Sequence, residues 1–91
     1  MLIISWRDSA RNDLARIIQF IAERNPPAAR RMRHVIEGAV LPTAEHPYLF
    51  RPGRVPGTRE VVAHPNYVVV YQVTETQVEV LAVLHTRQDY P

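Results

Sequence analysis

The sequence has 91 residues, which suffices for one domain, and a formal net charge of +2 at pH 7. It contains no cysteine, which excludes a disulfide scaffold and a thiolate metal site. No apolar run approaches the ~20 residues of a membrane-spanning helix. All 11 lysine-or-arginine positions are arginine, a side chain that forms two-point contacts with carboxylates and phosphates. An anionic partner and a genome that favours arginine codons both explain this bias. The apolar start, Met1–Ile4, is too short for a secretory signal, and we expect a cytoplasmic protein.

The first predicted elements are a strand and an amphipathic helix. Leu2 to Trp6 (LIISW) is typical of a strand. Asp8 is expected to cap the helix that follows, with Ser9 as the alternative cap. Apolar residues then recur at steps of three and four, which predicts one apolar stripe made of Ala10, Leu14, Ile17, Ile18 and Ile21.

A second helix is predicted after Asn25 and Pro26, which suit the cap and the first helical position respectively. Pro42 should end this helix at Leu41. Its apolar residues again recur at helical spacing and are Ala28, Ala29, Met32, Val35, Ile36, Ala39 and Val40. The two stripes therefore predict a helical hairpin that packs on one face of a sheet.

The sheet is predicted in the C-terminal half, after a proline- and glycine-rich loop over Pro47–Gly57. Three strands are predicted over Thr58–Ala63, Tyr67–Val73 and Val78–Leu84, and a short polar connection links the last two. The order β-α-α-β-β-β predicts a single α+β domain over residues 1–91, with a three-stranded antiparallel meander at its end. Because the helical hairpin covers one face of the sheet, part of the other apolar face is expected to be left for a partner.

The order of four segments carries a resemblance to a known family. These segments are Gly57–Val62 (GTREVV), Tyr67–Tyr71 (YVVVY), Val78–Leu81 (VEVL), and Val83–His85 (VLH) followed by Arg87 and Gln88. In this order, and at the end of a 91-residue chain, they resemble the RelE/ParE superfamily of bacterial toxins, most closely its ParE branch. The resemblance covers nearly the whole chain and implies the two-layer RelE/ParE-like fold.

The Val-Leu-His-x-Arg-Gln ending resembles ParE toxins, which act on DNA gyrase. Members similar to RelE, which cleave messenger RNA, usually carry a basic residue just before the aliphatic-Tyr stretch of the central strand. This chain is aliphatic there, near Val68. The resemblance therefore implies a gyrase-binding toxin that is not an enzyme, and we expect no cofactor. The target-binding residues carried over with the segment are His85, Arg87, Gln88 and Tyr90.

A ribosome-dependent endoribonuclease, which acts on ribosome-bound messenger RNA, is the alternative function. Cleavage by a ribose 2′-hydroxyl needs a base, an acid and cations on the phosphate. Arg59 and Arg87 would be the cations, His85 or Glu60 the base, and Tyr90 or His85 the acid. The sequence does not place Arg59 and His85 together, since they lie at the ends of different strands. A second alternative is a nontoxic member that acts only in a DNA-binding complex with its partner.

A cognate antitoxin is the partner that the resemblance implies, and operator DNA would be contacted only through it. Two apolar helices and strands apolar on both faces exceed what one small core should bury, and exposed apolar patches usually mark interfaces. An acidic amphipathic segment would suit this surface and the arginines. The residues expected to bind it are Leu14, Ile18, Ile21, Arg30, Met32 and Arg33. Self-burial of the surface, or dimerisation, is the alternative.

Three further features are interpreted as structural. Arg51 and Arg54 lie in a loop that lacks the glycine and lysine pattern of a phosphate-binding loop, and we expect a turn with exposed arginines. The four histidines are scattered along the chain, which supports no metal site. A basic face of the helices is expected to be solvated and comprises Arg24, Arg30, Arg31, Arg33 and His34.

Overall fold

The computed structural model describes residues 1–91 as two helices and a five-stranded sheet. The helices are α1 (Asp8–Ala22) and α2 (Pro26–Val40), and a 3₁₀ turn over Leu41–Ala44 follows α2. The strands are β1 (Ile3–Trp6), β2 (Arg51–Pro52), β3 (Arg59–His64), β4 (Tyr67–Val73) and β5 (Gln77–His85). The predicted β-α-α-β-β-β order is confirmed, with β2 as a further short strand inside the predicted loop. Neither helix combines the length and the apolarity that crossing a bilayer requires.

The sheet is mixed, with the strand order β1-β5-β4-β3-β2. β1 runs parallel to β5, and the other neighbouring strands are antiparallel. The predicted meander is therefore present as β3, β4 and β5, and the N-terminal strand joins the sheet beside β5. β4 and β5, which are the two densest runs of β-forming residues, each have a strand on both sides, as expected of strands that are apolar on both faces.

The first helix does not begin as predicted. Arg7 is the N-cap residue, in extended conformation, and no side chain caps the helix. Asp8 is instead the first helical residue, where its negative charge interacts favourably with the positive end of the helix dipole. The Ser9 hydroxyl donates a hydrogen bond of 2.8 Å to the carbonyl of Leu81, so its side chain joins α1 to β5. The prediction of Asp8 or Ser9 as the cap is therefore wrong. Asp8 lies inside the first helical turn, and the Ser9 hydroxyl is bonded to the sheet.

The second helix begins as predicted. The Asn25 side chain accepts a hydrogen bond of 3.1 Å from the amide of Ala28, and Pro26 is the first helical residue. The helix ends at Val40, and Pro42 lies in the 3₁₀ turn that follows. This turn redirects the chain towards β2.

The main core lies between the helical hairpin and one face of the sheet. Both predicted stripes contribute to it, and one alanine of each helix, Ala10 and Ala29, is buried. The buried core residues are Ala10, Leu14, Ile36 and Val40 from the helices, and Val61, Val69, Tyr71, Val78, Val80 and Val83 from the strands. We call this face of the sheet the helix face and the other the far face.

The far face carries a second, smaller core. Val70, Ala82 and Leu84 are buried there, and Tyr90 packs against them. Val62 on the same face stays 52% exposed. The C-terminal end of the chain therefore covers the centre of the surface that was expected to be left for a partner.

A β-bulge shapes β5 beside α1. The register between β4 and β5 shifts between Val70 and Tyr71, which makes Leu81 an extra residue on β5. β1 does not extend along this part of β5. α1 satisfies the backbone there instead, because Asp13 Oδ2 accepts a hydrogen bond of 3.0 Å from the amide of Val83.

Candidate functional site

The C-terminal segment, His85–Pro91, begins with a tight turn. The amide of Gln88 donates to the carbonyl of His85 at 2.9 Å, and the amide of Arg87 donates to His85 Nδ1 at 3.1 Å. The amide of Thr86 donates to the carbonyl of Asn66, in the β3–β4 connection, at 2.8 Å. These bonds hold the backbone of the turn at the end of the β4–β5 pair.

Arg54, in the loop between β2 and β3, contacts this turn, and Arg51 of β2 lies close to Arg54 because both pair with Glu60. Arg54 Nη1 donates to the carbonyl of Gln88 at 2.9 Å. Glu60 is only 4% exposed, and its Oε1 accepts a hydrogen bond of 3.1 Å from Arg51 Nε and forms an ion pair with Arg51 Nη2 at 2.9 Å. Arg54 Nε lies 3.7 Å from the other oxygen, Oε2. Both arginines are exposed, as expected for this turn, and both also pair with the buried carboxylate of Glu60.

His85 points to the helix face of the sheet. Its ring contacts Tyr67 edge-on, with 5.6 Å between the ring centroids. Beside it, a groove of about 320 Å³ separates α1 from the end of the sheet. The groove is lined by Asp13, Arg16, Ile17 and Phe20 of α1, by Tyr67, Val83 and His85 of the strands, and by Gln88.

An exposed aromatic residue forms the rim of this groove. Phe20 is 58% exposed, and the guanidinium of Arg24 lies 4.2 Å from the centre of its ring. Phe20 is not among the predicted site residues, because it falls outside the predicted stripe. Its spacing of three from Ile17 places it beside that stripe and could have indicated a second, solvent-facing apolar edge.

The structure brings the four predicted target-binding residues into one segment but gives them different surroundings. Arg87 and Gln88 are exposed, whereas His85 and Tyr90 are partly buried. His85 lies on the helix face and Tyr90 packs against the small core of the far face. Two side chains of the segment therefore attach it to the sheet, and the other two are exposed, although Gln88 Oε1 also accepts a long hydrogen bond of 3.4 Å from the amide of His85.

The residues of the ribonuclease alternative do not form one cluster. Arg59 is opposite Tyr71 in the sheet and His85 is opposite Tyr67, so they are separated by about 13 Å along β4. The guanidinium of Arg59 donates to the carbonyls of Phe50 and Tyr48, at 2.8 and 3.3 Å. Arg59 thus fastens the loop before β2 to the sheet.

Glu60 and Tyr90, the other two acid–base candidates, are also separated from His85. Glu60 points to the far face and is paired with two arginines, and Tyr90 packs on the same far face. The sheet lies between both side chains and the His85 ring. In addition, no group of three or more histidine, cysteine or carboxylate side chains comes together anywhere in the chain as a metal site would require.

Tyr71 is the titratable group with a perturbed environment. Its hydroxyl donates a hydrogen bond of 2.6 Å to the carbonyl of Pro47. Burial raises the pKa of Tyr71 above its ordinary value of 10.0, and the positive charge of Arg59 partly opposes this shift. The neutral phenol is therefore the form that fits the folded state.

We expect stability to fall above pH 10 through Tyr71. Because its pKa is raised on folding, its contribution is complete below about pH 10 and is lost as the pH rises towards the folded-state pKa. Tyr71→Phe should cost about 1 kcal/mol at pH 8, through the lost hydrogen bond, and should reduce the further loss above pH 10. Urea unfolding of both proteins from pH 8 to 11 measures this difference. Parallel losses in both proteins above pH 10 would contradict it.

The residues expected to bind the antitoxin differ in accessibility. Leu14 is 4% exposed and belongs to the core, so a partner cannot reach it on the folded surface. The other three apolar residues, Ile18, Ile21 and Met32, are partly buried. Arg30 and Arg33 of α2 are exposed, and Arg33 Nη1 lies 3.8 Å from Oε2 of Glu37.

Comparison with known proteins agrees with this fold. Residues 4–90 match the family described as the ParE toxin of the type II toxin–antitoxin system parDE. A Sinorhizobium fredii protein named as a candidate toxin, Y4kP, is 38% identical over 89 residues, which are 97% of this chain and 92% of that protein.

Two solved structures show the same fold. One chain of the chromosomal ParDE toxin–antitoxin system from P. aeruginosa matches with a TM-score of 0.81 at 22% identity, over 93% of this chain and 96% of that chain. A chain of the toxin–antitoxin complex RelBE2 from Mycobacterium tuberculosis matches with a TM-score of 0.61 at 22% identity, over 92% and 96% of the two chains.

Proposed function

The chain belongs to the ParE toxin family of type II toxin–antitoxin systems, and we propose that it inhibits growth by binding DNA gyrase. The observation that carries this proposal is the turn at the start of the C-terminal segment. Its backbone is fixed by hydrogen bonds to Asn66 and Arg54, while the side chains of Arg87 and Gln88 are exposed. A turn that is already ordered loses little entropy on binding, which suits recognition of a protein surface.

Two observations favour binding over ribonuclease chemistry. The required acid, base and cations are divided between the two faces and two ends of the sheet, as described above. Val68 lies near the place where RNA-cleaving relatives usually carry a basic residue, and it is aliphatic and 1% exposed. It therefore supplies no cation for transition-state charge.

A cognate antitoxin is the second partner of a toxin of this class. We place its contacts on the hairpin, where Arg30 and Arg33 are exposed beside the partly buried Ile18, Ile21 and Met32. An amphipathic segment with acidic residues would pair with these arginines and cover the apolar residues. Operator DNA would then be contacted through the antitoxin, and both partners would meet the toxin in the cytoplasm.

A gyrase assay with purified, antitoxin-free protein tests the proposed function. We expect the protein to inhibit supercoiling and to leave ribosome-bound messenger RNA intact in a parallel cleavage assay. His85→Ala separates the two functions further. If the protein is a ribonuclease that uses His85, this substitution should lower its cleavage rate by about 10²-fold or more. If it is a gyrase-binding toxin, neither the wild type nor His85→Ala should cleave RNA.

The opposite result would overturn the proposal. Cleaved messenger RNA together with unaffected gyrase would identify the chain as a ribonuclease, with His85 as the first residue to examine. A folded sample without either effect would indicate a nontoxic member whose role is confined to its complex with the antitoxin.

A further inference from the structure

We propose that Arg54, oriented by the buried carboxylate of Glu60, is a positioning residue that holds the Arg87–Gln88 turn in the conformation that binds the target. This inference rests on the proposed gyrase-binding function and assigns a role to residues outside the C-terminal segment. Glu60 lies between two arginines: Arg51 hydrogen-bonds to the carboxylate, and Arg54 hydrogen-bonds to the turn.

First, the two carboxylate oxygens of Glu60 have different partners. This side chain is 4% exposed on the far face of the sheet, where a carboxylate without partners would be strongly destabilising. Arg51 satisfies Oε1 with a hydrogen bond of 3.1 Å from Nε and an ion-pair contact of 2.9 Å from Nη2. The second oxygen, Oε2, is buried and accepts no hydrogen bond from the protein.

The second step is the direction of Arg54. Its Nε lies 3.7 Å from Oε2 of Glu60, within electrostatic range but beyond hydrogen-bond distance. Its Nη1 donates instead to the carbonyl of Gln88 at 2.9 Å. The carboxylate therefore attracts the guanidinium, and the hydrogen bond that the guanidinium makes goes to the turn. Bonds from a charged donor are the stronger kind.

The third step is the rigidity of the loop that carries Arg54. The amide of Gly53 donates to the carbonyl of Thr58 at 2.8 Å, and a side chain at Gly53 would collide with the Thr58 hydroxyl. Gly57 has φ of +86°, a conformation that favours glycine. The loop is thus closed on itself before β3, and it presents Arg54 to the turn from a fixed backbone.

Arg51 provides a matched control, because it pairs with the same carboxylate and does not touch the turn. Arg54→Gln should weaken gyrase inhibition by roughly 10- to 100-fold, the equivalent of one charge-assisted hydrogen bond. Arg51→Gln removes the hydrogen bond and the shorter ion-pair contact to Glu60 and should lower the melting temperature more, yet retain inhibition by the folded protein. Arg54→Lys keeps a charged donor and should restore most of the inhibition. If gyrase inhibition depended on stability alone, Arg51→Gln would inhibit gyrase less than Arg54→Gln does, which would contradict the inference.

Amide hydrogen exchange of the free toxin supplies a readout that does not depend on gyrase. In Arg54→Gln, protection of the Gln88 and Thr86 amides should fall by roughly tenfold or more, with the β4 and β5 amides unchanged. Equal protection and equal inhibition in Arg54→Gln and Arg51→Gln would overturn the inference while the proposed function stands. A wild-type protein without any effect on gyrase would overturn the proposed function itself.

Discussion

Replacement of Arg87 and Gln88 together by alanine should reduce gyrase inhibition by roughly 30-fold or more. Loss of one interface hot spot costs about 2 kcal/mol or more, which is roughly 30-fold in affinity, and arginine is enriched among hot spots. The change should leave the fold intact, since both side chains are exposed. The backbone bonds of Gln88 to His85 and Arg54 do not depend on its side chain, and the one contact that is lost within the turn is the 3.4 Å hydrogen bond from the amide of His85 to Gln88 Oε1. Supercoiling assays with a concentration series of each protein measure the effect, and melting curves confirm folding.

A matched control removes charge from another surface. Arg30→Ala together with Arg33→Ala takes two exposed arginines from α2 and should leave gyrase inhibition unchanged. If the hairpin binds the antitoxin, this variant should lose antitoxin affinity, which the Arg87 and Gln88 variant should retain. Equal losses of gyrase inhibition in both variants would mean that net positive charge, and not the turn, determines binding.

Point substitutions test the turn better than truncation does. Deletion of His85–Pro91 would also abolish toxicity if the segment binds the target. However, it would uncover Val70, Ala82 and Leu84, which Tyr90 now covers. A truncated protein therefore combines loss of the contact with exposure of an apolar patch, and only the double alanine variant separates these two effects.

The fold was largely predictable because periodicity determines it. Steps of three and four along both helices and dense runs of valine in β4 and β5 define which residues can share a core. Local cap chemistry was predictable at Asn25, where proline follows the cap. It failed at Asp8 and Ser9 because the Ser9 side chain bonds to Leu81, a residue distant in sequence that only the packing of α1 on β5 brings near.

The site was less predictable, because it depends on which face of the sheet each side chain occupies. The sequence analysis grouped His85 and Tyr90 by proximity along the chain, whereas the turn between them places the two rings on opposite faces. The pairing of Glu60 with Arg51 and Arg54 requires the register of β2 on β3. That register follows from a six-residue connection, residues 53–58, whose path depends on turn geometry at Gly53 and Gly57, and no periodic pattern encodes it.

Leu14→Asp should prevent the protein from folding. The Leu14 side chain is 4% exposed in the core between α1 and the sheet. Loss of its packing costs about 2–5 kcal/mol, and an unpaired buried charge adds several kcal/mol more. The sum approaches or exceeds the about 5–15 kcal/mol by which a domain is stable. Circular dichroism and thermal melting of the purified variant measure the outcome.

Ala15→Asp is the matched control, with the same new charge one residue further along α1. Because Ala15 is exposed, this change should cost only about 0.5 kcal/mol, through helix propensity. Ile18→Asp distinguishes the core from the antitoxin surface, since Ile18 is partly buried. If it remains folded but loses antitoxin in a pull-down, the hairpin surface is the binding site. A Leu14→Asp protein with a cooperative melt near that of the wild type would contradict the core position of Leu14 and return this residue to the candidates for antitoxin contact.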